Sequence, residues 1–162
     1  MDVESLATAE QMDDCRLLSL SSLEKVPFWG LRIVVDEMMP AAGPENPERD
    51  FTPELAARIR AEMAMRPQRE SRRFEIAWRE CVSYLVQNEC YGRYPEAPEM
   101  FSGKFFRRFS WSHLLELTRK TSYVSDDHPG SGPFQHVSVV CSDDVVDVIA
   151  CVEPVVRRLD RD

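Results

Sequence analysis

The residues best suited to acid/base or metal chemistry are three histidines, His113, His128 and His136, the only side chains whose ordinary pKa lies near neutrality. His128 follows Asp126 and Asp127 and precedes a Pro/Gly-rich run, and His136 comes eight residues later, with Asp143, Asp144 and Asp147 downstream. Two imidazoles and a carboxylate form the working set of a metal-dependent or acid/base hydrolase, in which His128, His136 and Asp147 are the catalytic groups. Against this, Asp143 and Asp144 are ordinary turn formers, and a Pro/Gly loop between the histidines fixes no geometry. His113, in the first turn of an expected helix, reads as structural.

Nucleophilic and nucleotide chemistry have weaker signals. Cys141 and Cys151 lie in apolar strand-like contexts where burial raises a thiol's pKa, and Cys90 is next to Glu89, which opposes thiolate formation. No GxxxxGK[ST] or GxGxxG cradle is present, and Gly130, Ser131 and Gly132 precede no helix pattern, so no cofactor is implied. Cys15, Cys81, Cys90, Cys141 and Cys151 contain no CxxC and no closely spaced metal quartet, so neither a cysteine metal centre nor a disulfide framework is expected.

Two further groups suit binding. Arg66, Arg69, Arg72 and Arg73, with Arg107 and Arg108 beside Phe105, Phe106 and Phe109, suggest a nucleic-acid surface, although Glu62, Glu70 and Glu75 are interspersed. Tyr91, Arg93 and Tyr94 form an amphipathic loop of the composition that dominates protein interfaces.

Charge favours a protein partner. Residues 1–50 carry 11 acids against 4 bases, residues 51–125 carry 9 against 13, and residues 126–162 carry 8 against 3, for a net charge of −8. The leading expectation is therefore a small acidic protein-binding module, an inhibitor or immunity-like protein that docks on a basic partner through Asp13, Asp14, Glu45, Glu48, Tyr91, Arg93 and Tyr94. A hydrolase and a nucleic-acid binder through Arg66 to Arg73 are the alternatives, and a homodimer is compatible with all three. Of the 20 bases 17 are Arg, a composition that fits a bacterial-type genome. Reduced thiols and an acidic N-terminus without an apolar signal core point to the cytoplasm. Apolar runs of only a few residues fall far short of the roughly 20 needed to span a bilayer.

The scaffold for these groups reads as one α+β domain over 1–162. Its 43% hydrophobic and 30% charged residues place the chain in the globular range. Residues 1–12 read as frayed or disordered, and Leu17, Leu18, Leu20 and Leu23 mark a short helix ended by Pro27. Phe28 to Glu37 follow as a strand, and Thr52-Pro53-Glu54 opens a helix along Leu55, Ile59 and Met63. Phe74, Ile76, Trp78, Val82, Tyr84 and Val86 alternate as one long or bent strand interrupted at Glu80. Lys104 to Phe109 form a shorter strand, Ser110 or Ser112 caps a third helix, and Phe134–Cys141 and Val145–Val152 make a hairpin around Ser142, Asp143 and Asp144. The expected fold is a two-layer sandwich, a mainly antiparallel sheet of about five strands under about three helices.

Overall fold

A computed structural model of the chain describes residues 3–28, 30–40, 52–55, 57–58, 65–91, 99–123 and 132–160. It is α+β with antiparallel pairing throughout the described strands. The elements are α1 (Val3–Asp13), β1 (Leu18–Val26), β2 (Gly30–Glu37), β3 (Met39–Pro40), β4 (Met65–Arg66), β5 (Arg73–Trp78) and β6 (Cys81–Asn88). After a 3-10 turn at Glu89–Tyr91 come β7 (Met100–Ser102), β8 (Phe106–Trp111), α2 (His113–Thr121), β9 (Gln135–Val140), β10 (Asp144–Ala150) and β11 (Val155–Leu159). Pro53 to Leu55 are also helical, with Thr52 Oγ1 accepting from the Leu55 N–H at 3.3 Å, as the capping pattern requires.

The expectation of a single five-stranded sheet is corrected. The strands form a four-stranded sheet in the order β1-β2-β5-β11, a five-stranded sheet in the order β6-β10-β9-β8-β7, and a two-stranded ribbon β3-β4. The larger sheets share one buried cluster. Leu31, Ile33, Val35, Phe74, Ile76, Trp78 and Val156 enter it from the first, and Phe106, Val137, Val139, Val146 and Val148 from the second. The alternating Phe74 to Val86 run belongs to both sheets: it breaks at Arg79 and Glu80, so β5 and β6 lie in different sheets.

Two local departures have physical causes. Residues 18–26 form a strand where the leucine spacing suggested a helix. A register shift between Leu20 and Ser22 changes the phase of the side-chain alternation, so Leu18, Leu20 and Leu23 all pack against the core despite their odd spacing. The N-terminal segment expected to fray is instead α1. Its buried face is Ser5, Thr8, Ala9 and Met12, at helical spacing but too polar to register as an apolar stripe. Ser5 Oγ accepts from the Val156 N–H at 3.3 Å, and Thr8 Oγ1 donates to the Glu4 carbonyl at 2.8 Å, so both hydroxyls are satisfied.

Candidate functional site

The β9–β10 hairpin and α2 meet on the outer face of the five-stranded sheet. Register places Asp147 opposite Ser138 and Ile149 opposite His136, so His136, Ser138 and Asp147 share that face. Ile149 there joins Leu115, Phe134 and Cys151 in a second apolar cluster beneath α2. Ser112, the N-cap of α2, accepts from the Leu115 N–H at 3.0 Å, and its Oγ lies 2.7 Å from His136 Nδ1. His136 Nε2 lies 3.1 Å from Asp147 Oδ1, which also accepts from the Ser138 hydroxyl. Phe109 stacks on the imidazole with ring centroids 4.1 Å apart. The neutral Nε2–H tautomer satisfies the whole chain: the Ser112 hydroxyl donates to Nδ1, and Nε2–H donates to Asp147.

The structure thus brings together His136 and Asp147, two of the three groups in the hydrolase alternative; His128 lies outside the described residues. Serine, histidine and aspartate in sequence resemble a catalytic triad, but the surroundings differ from what that chemistry needs. Ser112 is 0% exposed and its oxygen caps a helix, while His136 is 3% exposed with both ring nitrogens engaged inside the protein. A nucleophile must reach substrate and its base must be able to exchange a proton there. This arrangement instead ties α2 to the sheet. Among the described residues, no group of three or more His, Cys, Asp or Glu is placed to hold a metal ion.

The predicted binding residues divide differently. Asp13 Oδ1 accepts the backbone N–H groups of Phe105 and Phe106 at 2.7 and 2.9 Å, so this acid holds the end of α1 to the turn between β7 and β8. In that turn Gly103 has φ +92°, and a Cβ there would lie 2.1 Å from the Phe106 carbonyl oxygen, which only glycine avoids. Asp14 is exposed. Tyr91 ends the 3-10 turn, and Glu45, Glu48, Arg93 and Tyr94, together with the Tyr91 side chain, lie outside the described residues.

Much of the basic segment is engaged within the fold. Arg72 grips Glu37 through two nitrogens, each 2.9 Å from a carboxylate oxygen, and donates to the Gln11 carbonyl at 3.1 Å. Arg73 lies 3.6 Å from Asp36 and donates to Ser21 at 3.1 Å. Arg107 donates to the Lys104 carbonyl and lies over the Phe101 ring, and Arg108 lies over Phe106. These guanidinium groups thus cover rings of their own sheet.

The surface feature the sequence reading missed is β6. It forms one edge of the five-stranded sheet and, among the described residues, pairs only with β10. Its eight residues, Cys81–Asn88, contain no charge and no proline, and Val82, Leu85 and Val86 are exposed. The other described edges of the two large sheets are guarded: β1 carries Glu24, Lys25 and an irregular register, β11 carries Arg157 and Arg158, and β7 is three residues long. Charge, irregularity and shortness are the devices that keep edge strands from pairing; β6 is long and carries no charge, and its one irregularity, the register shift against β10 between Ser83 and Cys81, is confined to the Cys81 end. The uncharged run was visible in the sequence, but alternation alone assigned its apolar residues to the interior.

At its Asn88 end β6 meets three acids. Glu89 follows directly, its N–H bonded to the Asp143 carbonyl at 2.9 Å, and Asp144 is the register partner of Asn88. At the Cys81 end lie exposed Arg79 and Glu80, and Lys25, whose Nζ is 5.6 Å from the centre of the Tyr84 ring. Among the described residues, no helix is long and apolar enough to cross a membrane. Comparison with protein families, curated proteins and solved structures gives no match to this chain.

Proposed function

We propose that this chain is a protein-binding module that takes an extended segment of a basic partner as an added strand along β6. The observation that carries the reading is the long uncharged edge: eight residues without a charge, with Val82, Leu85 and Val86 exposed, in a molecule whose other described large-sheet edges are charged or short. Strand addition draws affinity from main-chain hydrogen bonds and selectivity from alternate side chains. The acids Glu89, Asp143 and Asp144 at one end, and the net charge of −8, favour a partner bearing Lys or Arg beside its extended segment. Docking of this kind masks the bound segment, which is how an inhibitor or immunity-like protein would act.

Panning a random peptide library displayed on phage tests the reading. Wild-type protein should enrich alternating, β-branched or aromatic sequences flanked by bases, and the Val86→Lys variant should lose them. Enriched peptides that bind both proteins equally would place the contact elsewhere and overturn the proposal.

A further inference from the structure

We propose that a second copy of this chain occupies β6 when no partner is bound, joining two five-stranded sheets edge to edge about a two-fold axis. This rests on the reading that β6 accepts an added strand, and it gives that site a form of regulation, since self-pairing and partner binding compete for one edge.

Self-pairing about a two-fold axis sets each strand antiparallel to its copy, so residues of β6 face residues of the same uncharged strand. An edge with an internal charge would then oppose like charges across or near the axis. Cys81–Asn88 has none, so no antiparallel register within the strand brings like charges together. Exposed Val82, Leu85 and Val86 would gain cross-strand neighbours instead.

The ends of the strand give orientation. Antiparallel pairing sets the Cys81 end of one copy beside the Asn88 end of the other. The first carries Lys25 and Arg79 with one acid, Glu80, and the second carries Glu89, Asp143 and Asp144. Each end therefore meets charge of predominantly opposite sign, twice per dimer. A parallel arrangement would set the three acids of one copy against the same three of the other. The edge is self-complementary in the one orientation that a closed dimer allows.

Sedimentation velocity over a concentration series, from low micromolar to submillimolar, tests this with two charge-swapped variants of the whole chain. One is Lys25→Glu with Arg79→Glu, which makes both ends acidic; the other is Glu89→Lys with Asp143→Lys, which makes the acidic end predominantly basic. Wild type should shift from monomer to dimer, and each variant should remain monomeric alone. An equimolar mixture of the two should recover the dimer, which misfolded variants would not do. Val86→Lys should abolish the dimer in wild type. A wild type that stays monomeric throughout overturns the proposal, as does a dimer that survives Val86→Lys or either charge swap. In the first case, Val86-dependent peptide capture would leave the strand-addition reading standing, whereas loss of both would remove it as well.

Discussion

The Ser112 hydroxyl and His136 Nδ1 lie 2.7 Å apart, both buried, and join the cap of helix α2 to the middle of a sheet. Since the same hydroxyl accepts the Leu115 N–H, one side chain starts the helix and docks it. Ser112→Ala removes both contacts and should destabilise the fold by about 1–2 kcal/mol in urea denaturation. His136→Phe keeps a ring beside Phe109 but leaves Ser112 without its acceptor, and should cost roughly 2 kcal/mol. The double variant should be less destabilised than the two single losses together by about 0.5–1 kcal/mol, as expected for groups in contact. Strict additivity would show that the two side chains do not support one another.

This pair also shows which parts of the molecule were readable from sequence. Ser112 as a cap and the β9–β10 hairpin follow from local chemistry, because capping and turn preferences act over a few residues. Asp147 beside His136 follows from hairpin register, also a short-range property. The division of strands between two sheets was not legible, because it depends on where chain segments separated by tens of residues pair, as β5 does with β2 and β11. Asp13 illustrates the same limit. It is one of several acids in an acidic segment, and only the approach of Phe105 and Phe106 distinguishes it from a solvent-facing charge.

The thiols should differ sharply in reactivity. Burial is the main cause that pushes Cys15 and Cys141 up to about 12, with Glu37 adding to it at Cys15 and Asp144 and Asp143 at Cys141. Burial likewise raises Cys81 to about 11, opposed by Lys25. Cys151 is buried and Cys90 is exposed. Because the thiolate is the reacting form, brief iodoacetamide treatment of the native protein at mildly alkaline pH should modify Cys90 well ahead of the others. In denaturant all five should react at similar rates. Peptide mapping that finds Cys15 or Cys141 alkylated as fast as Cys90 in the native state would contradict the packing around α1 and the β9–β10 turn.

The Glu37–Arg72 pair should make stability depend on acidity in a predictable direction. The Arg72 guanidinium donates two hydrogen bonds to the Glu37 carboxylate and holds its pKa below the ordinary value, the side-chain bond being the largest cause, against burial that raises it. A carboxyl group depressed on folding contributes stability that is fully present above its unfolded pKa and is lost as pH falls through the folded one. The pair is mostly shielded from water, with side-chain exposures of 23% for Arg72 and 11% for Glu37, so solvent screens it less than a surface bridge. Glu37→Gln leaves the guanidinium facing a neutral amide and should cost about 2 kcal/mol near neutral pH. The deficit relative to wild type should shrink as pH drops below the normal carboxylate range, because protonation then removes the same charge from the native residue. Urea midpoints for both proteins across that range check this, and a deficit that stays constant into strong acid would mean that the loss arises from packing and not from the ion pair.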